Sequence, residues 1–362
     1  MSEWRADPVT GQWVIVAHDA PVRRRDFDLD EQPPDADGPC PLCEGHEHAA
    51  GREILAVRLG TPADGPGWDL RVVPNRVPML RVEAGGDAER DGLLEHQPGL
   101  GAHEVVVESP RHDASWFTMT EGELTRVLLA WRDRMADLRR DSRMRSALAF
   151  KNHGAKAGAR LAHPHSQIVA MPRVPPRVDE KVRGAERHHA STGRCVFCDL
   201  VAQEVAAGVR VVTATAACVA LAPYASRSPF EVMLVPRQHA ARFEAASTGE
   251  VAGVATALHD VLAQMDAQLG RPAFNAVLHT APYDAAVDGS YHWHLELLPR
   301  VLRATGFDLG SGTAVNPVPA EKAARVLRGA TGEPVCAAAR ACRMCGGFVT
   351  LHLHSRAGIT QW

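Results

Sequence analysis

The 362-residue chain has no apolar run approaching the roughly 18 residues that a membrane helix needs. Its first residues, MSEWRADPVTGQW, lack a basic segment followed by an apolar one, so no secretory signal is visible. Both absences point to a cytoplasmic protein without a membrane partner. Excess positive charge is missing too: 40 Lys and Arg against 43 Asp and Glu leave a formal charge of −3. No global field therefore draws the chain to nucleic acid. Lysine is scarce, supplying four of the 40 basic residues. That bias towards Arg fits genome base composition better than a phosphate-binding surface. What remains is ordinary for a globular protein with a sizeable core, 45% hydrophobic and 23% charged. The length suggests two domains or one large one.

Cysteine is present in a telling pattern. Cys40 and Cys43 form C-P-L-C, Cys195 and Cys198 form C-V-F-C, and Cys342 and Cys345 form C-R-M-C, leaving Cys218 and Cys336 single. Without a secretory signal, repeated C-x-x-C favours metal binding over a disulfide framework. A redox pair is the rival reading of any single copy. Two copies in matching contexts favour zinc.

Those contexts are an internal repeat. The first runs from the Cys pair at 40–43 through EVVVESPRH, ending at His112, then a helical stretch near 121–140, ALAFKNHG and HPHSQIVAMP with His163 and His165. The second runs from 195–198 through FEVMLVPRQH, ending at His239, then a helical stretch near 250–269, FNAVLHTAP and YHWHLELLPR with His292 and His294. We expect an α+β fold of two tandem halves, each an antiparallel sheet with a long packed helix, related by a pseudo-twofold. Leu124, Val127, Leu128, Trp131, Met135 and Leu138 make one apolar helical face, with Thr120, Glu121 and Glu123 marking its start. Val251, Val254, Leu258, Val261, Leu262 and Met265 repeat the pattern. Expected boundaries are 1–174 for the catalytic half, 190–330 for the second half and 331–362 for a tail, disordered by default. Residues 173–189 read as a linker whose prolines break regular structure. Residues 28–38, DLDEQPPDADG, read as an acidic loop.

A structural zinc site takes four thiolate or imidazole ligands. The repeat offers Cys40, Cys43, His112 and His163 for one site, and Cys195, Cys198, His239 and His292 for another. His46 and His48 compete for the first, and Cys342, Cys345, His352 and His354 are a weaker third set. The densest chemical signal is KNHGAKAGARLAHPHSQ at 151–167. On a strand, His163 and His165 share a face. A metal on His163 leaves His165 placed and free, and a neutral imidazole is a good nucleophile towards phosphorus. Gln167, on the same face, can donate to a phosphoryl oxygen. Gly158 and the small residues around it allow close backbone approach to phosphates, which Lys156 and Arg160 can neutralise. In the second half Glu296 stands where Gln167 does, and a carboxylate repels phosphate. Catalysis is therefore expected in the first half alone.

HPHSQ, KNHGAKAGA, DPVTGQWVIVA, PNRVPML and SPRH together resemble the galactose-1-phosphate uridylyltransferase family, the transferase branch of the histidine-triad superfamily, over roughly residues 5–328. Ser166, VPP at 174–176, the second C-x-x-C and GFDLGSGTAVNP at 306–317 are more similar to its ADP-glucose phosphorylase branch. The resemblance implies His165 as the nucleotidylated nucleophile, Gln167 as its phosphate partner and His163 as a zinc ligand with Cys40, Cys43 and His112. It implies substrate contacts at Asn75, Asn152 and Arg23, and a homodimer in which residues 306–316 approach the partner's site. The implied reaction is ping-pong: a nucleoside monophosphate passes from a nucleotide sugar, through His165, to a hexose 1-phosphate, as in galactose and nucleotide-sugar metabolism. The runner-up is adenylyl transfer to inorganic phosphate. A dinucleoside polyphosphate phosphorylase or hydrolase uses the same histidine, but hydrolases of this superfamily usually carry a third His where Gln167 stands.

Overall fold

A computed structural model describes residues 2–17, 39–86, 88–303 and 305–329. The expected acidic loop at 28–38, Arg23 and the Cys- and His-bearing tail lie outside the described residues. The first half comprises β1 (Ser2–Ala6), β2 (Trp13–Ala17), α1 (Glu47–Ala50), β3 (Leu55–Arg58), β4 (Trp68–Pro74), β5 (Glu89–Asp91), β6 (Leu94–His96), β7 (Ala102–Val107), α2 (Glu121–Leu138), β8 (Ser146–His153) and β9 (His165–Met171). The second comprises α3 (Pro176–Thr192), α4 (Val196–Ala207), β10 (Val211–Ala214), β11 (Cys218–Leu221), β12 (Val232–Pro236), α5 (Thr248–Leu269), β13 (Phe274–His279), β14 (His294–Pro299), α6 (Gly306–Ser311), β15 (Val315–Asn316) and α7 (Ala320–Leu327).

Ten strands make one antiparallel sheet in the order β3-β4-β7-β9-β8-β13-β14-β12-β11-β10. The order has a mirror-like symmetry of elements about the β8–β13 junction, as a pseudo-twofold requires. The antiparallel sheets expected of the two halves are continuous, because β8 and β13 each present an edge and join through it, with Asn152 opposite Asn275. β1 and β2 form a hairpin extended by β15 in a three-stranded sheet. This hairpin sits on the second half, where Arg5 pairs with Glu321 at 3.0 Å.

α2 and α5 lie on the same face of the sheet, and each begins with a full capping box: Thr120 with Glu123, and Ser247 with Glu250. Their apolar stripes are the ones read from periodicity. Leu124, Val127, Leu128, Trp131 and Met135 are buried in α2, and Val251 to Met265 in α5. The supposed linker is instead helix α3. Pro175 caps it and Pro176 opens it, a position where the missing N–H costs nothing. Val178, Val182 and Ala185 then form an apolar stripe that packs on the opposite sheet face with α4. Gly184 is required there: a Cβ would stand 1.6 Å from the Val9 carbonyl oxygen.

The alternation along β9 separates a packed face from an open one. Ser166, Ile168 and Ala170 point to α2, with Ile168 and Ala170 in the core and Ser166 Oγ accepting from Trp131 Nε1 at 2.8 Å. His165 and Gln167 therefore face the other side. Among the described residues no helix is long and apolar enough to cross a membrane.

Candidate active site and metal centres

Cys40 and Cys43 share a tight turn, in which the Cys43 N–H donates to the Cys40 carbonyl at 3.3 Å. His112 follows β7 and His163 precedes β9, and the fold brings all four residues together with ligand atoms within 4.8 Å of one another. Cys43 Sγ lies 3.2 Å from His112 Nδ1 and 3.5 Å from His163 Nδ1. In the second half Cys195, Cys198, His239 and His292 do the same, with Cys198 Sγ 3.3 Å and 3.6 Å from the two imidazole nitrogens. A tetrahedral ion about 2.3 Å from sulfur and about 2.0 Å from nitrogen spaces those atoms about 3.5 Å apart, so both sets fit a metal ion. The imidazoles are aimed accordingly. His163 Nε2 donates to the Ser109 carbonyl at 2.8 Å and His239 Nε2 to the Asp288 carbonyl at 2.6 Å, which turns each Nδ1 lone pair to the thiols. Without a metal, burial raises the Cys43 thiol to about 11 and lowers His163 to about 4. His46, a competing ligand on sequence grounds, instead contacts the Cys40 carbonyl through Nδ1 at 2.9 Å.

Beside the first cluster lies a cavity of about 720 Å³ that brings together Asn75, Asn152, Gly158, Arg160, His165 and Gln167. Its remaining wall is largely apolar, including Leu42, Val73, Val77, Met79 and Phe150. His165 Nδ1 lies 2.8 Å from the His163 carbonyl, an acceptor only, so Nδ1 carries the proton and Nε2 keeps its lone pair. Burial lowers the His165 pKa, with the Lys151 charge acting in the same direction, so the ring is neutral near pH 7. Lys151 was not singled out in the sequence. It is buried, pairs with Glu108 at 2.6 Å and donates to the His165 carbonyl at 3.1 Å, fixing the strand behind the imidazole.

His103 is another residue that sequence reasoning missed. It lies on β7, diagonal to Gln167 across the β7–β9 pair. Its Nδ1 accepts from the Met79 N–H at 3.1 Å, so its Nε2 hydrogen points to Gln167 Oε1 at 2.7 Å. That hydrogen bond occupies the oxygen of Gln167 and leaves its NH₂ available. The cue lay in AHEVVV, where period-two spacing puts His103 on the face of Val105, which pairs with Gln167.

The second half has filled its equivalent space. His294 and Glu296 occupy on β14 the places of His165 and Gln167 on β9, but Lys181 from α3 inserts between them, 2.7 Å from His294 Nε2 and 2.5 Å from Glu296. Arg227 adds a contact to Glu296 at 2.8 Å. Burial alone would raise the Glu296 pKa, yet Lys181, Arg227 and His279 hold it well below the usual carboxylate range. The space left there measures about 40 Å³.

The sequence pattern of the galactose-1-phosphate uridyl transferase N-terminal domain matches residues 1–175, and that of the C-terminal domain matches residues 181–328. The chain is 31% identical over 335 residues to ADP-glucose phosphorylase of Arabidopsis thaliana, covering 90% of this chain and 92% of that protein. It is 28% identical over 337 residues to galactose-1-phosphate uridylyltransferase of Thermotoga maritima, covering 91% and 98%. A crystal structure of an ADP-glucose phosphorylase from Arabidopsis thaliana with bound ADP-glucose superposes with a TM-score of 0.77 at 29% identity, over 91% of this chain and 99% of that one. Fold and comparisons together define a nucleotidyltransferase. The chain belongs to the galactose-1-phosphate uridyl transferase family.

Proposed function

We propose that the protein transfers a nucleoside monophosphate from a nucleoside diphosphate sugar, through a covalent bond to His165, to an acceptor bearing a phosphate. The observation that carries this reading is the His165 imidazole, its Nδ1 hydrogen held by the His163 carbonyl and its ring lining the 720 Å³ cavity. Nε2 attacks the α-phosphorus, an N–P bond forms, and the bond to the sugar 1-phosphate oxygen breaks. The acceptor's phosphate oxygen then attacks the same phosphorus and His165 regains its lone pair. Gln167 donates to a non-bridging oxygen as charge develops, and Asn152, Asn75 and Arg160 bind the phosphates. Gly158, with φ +88°, takes a left-handed backbone that a side chain would disfavour and keeps the loop close to them. Arg23 is proposed as a further phosphate contact.

Both Cys₂His₂ clusters are proposed zinc sites with a structural role. Zinc at the first would tie the 40–43 turn to the strand that presents His165. The proposed active form is a homodimer in the cytoplasm, and the exposed Trp4, Trp13, Phe307 and Leu309 offer apolar surface for such an assembly.

Two donor–acceptor pairs follow. The 31% identity to an ADP-glucose phosphorylase supports ADP-glucose with inorganic phosphate. The uridylyltransferase relatives support UDP-glucose with galactose 1-phosphate, a role in galactose metabolism. Incubating each pair with the protein and following products by ³¹P NMR separates them. ADP and glucose 1-phosphate support the first, UDP-galactose and glucose 1-phosphate the second, and no turnover of either pair contradicts the reading.

A further inference from the structure

The amide of Asn152 lines the cavity, yet its orientation is decided from the second half. Asn275 stands directly opposite Asn152 across the β8–β13 junction. Its Nδ2 donates to the Ala157 carbonyl at 2.9 Å and to Asn152 Oδ1 at 2.8 Å. A backbone carbonyl only accepts, so the nitrogen end of Asn275 is determined. At the other end, Asn275 Oδ1 accepts from Arg300 Nε, and a guanidinium only donates. With both ends set, the oxygen of Asn152 is occupied and its NH₂ is left for the cavity. A Cβ on Gly158 would stand 3.8 Å from that nitrogen, so it lies against the glycine loop.

Resting on the nucleotidyl-transfer reading, we infer that Asn275, held by Arg300, is a positioning residue through which the second half turns the Asn152 amino group towards the substrate's phosphoryl oxygens. A reversed amide would offer its carbonyl oxygen to an anionic group and repel it. Among the described residues, Lys181 fills the second half's equivalent of the first-half site, and this hydrogen-bond chain gives the second half a part in the first half's reaction. Asn275 touches no reacting atom and acts through Asn152.

The Asn275→Asp substitution keeps the side-chain size but removes the donor. Its carboxylate would draw the Asn152 NH₂ away from the cavity. The test measures the single-turnover rate of nucleotidyl-enzyme formation from ADP-glucose or UDP-glucose. It compares wild type, Asn275→Asp, Asn152→Ala and the double variant, with thermal unfolding of each. Asn275→Asp is expected to slow the step about tenfold to a hundredfold at saturating donor. In the Asn152→Ala background the same change is expected to cost less than about threefold, the non-additivity of residues acting as one unit. Arg300→Ala, at an exposed position, is expected to slow the step about threefold or more and carries the test if Asn275→Asp does not fold. An equal factor in both backgrounds, or wild-type rates in both Asn275→Asp and Arg300→Ala, overturns the inference. A wild-type protein that forms no adduct with either donor overturns the nucleotidyl-transfer reading and this inference with it.

Discussion

At the residue scale the proposed chemistry depends on which end of each polar side chain is occupied. His165 has its Nδ1 hydrogen on a backbone carbonyl, and Gln167 has its oxygen on His103, so each keeps one end for a ligand. Gln167→Ala should lower kcat by about a hundredfold with a smaller change in KM, the effect of losing a donor used mainly in the transition state. A change in KM alone would assign Gln167 to ground-state binding. The two groups of four Cys and His residues were legible as groups because the C-x-x-C and His-x-His patterns recur in two copies, and the placing of His165 beside Gln167 because residues two apart on a strand share a face. His103, Lys151 and Asn275 were not. Each acts through a partner on another strand, which spacing along one strand does not reveal.

At the element scale, β9 packs on the core with one face and lines the cavity with the other. Ser166 is the buried partner of Trp131 Nε1. Ser166→Gly should leave that donor unpaired and reduce stability by about 1–3 kcal/mol, read as a lower denaturant midpoint at unchanged slope. An unchanged midpoint would show that the indole finds another acceptor. The long helices were legible because a 3.6-residue stripe and a capping box agree with each other. Helix α3 was not, since its prolines and charges outweigh in composition the three apolar residues that dock it. The turn at 40–43 meets the residues before β9 in the first Cys₂His₂ cluster, a proposed zinc site, so Cys43→Ser should remove one equivalent of zinc and slow adduct formation. Cys198→Ser should remove one equivalent while leaving the first cluster loaded. Metal analysis of both variants alongside the labelling rate checks this. Zinc loss from Cys43→Ser without slower labelling would uncouple that cluster from His165.

At the scale of the whole molecule, a shared ten-stranded sheet makes two halves one unit, a continuity the repeat did not reveal because edge pairing leaves no mark in periodicity. Several imidazoles are buried in it. His153, packed against Phe117 and Phe274, is lowered by burial from 6.5 to about 3. The unfolded chain therefore binds a proton that the folded chain refuses between those values. Stability contributed by His153 is full above about pH 6.5 and falls with acidification, by up to about 1.4 kcal/mol per pH unit. His153→Phe should flatten the fall in Tm between pH 7 and 5, whereas an unchanged slope would assign it to other groups. A nucleotidyl bond to His165 would register in the intact mass of the protein. The protein is incubated separately with ADP-glucose and UDP-glucose, without acceptor, beside a His165→Ala control. A gain of one AMP or one UMP is expected in the wild type and none in the control. An equal gain in the control, or none in the wild type with either donor, would contradict it.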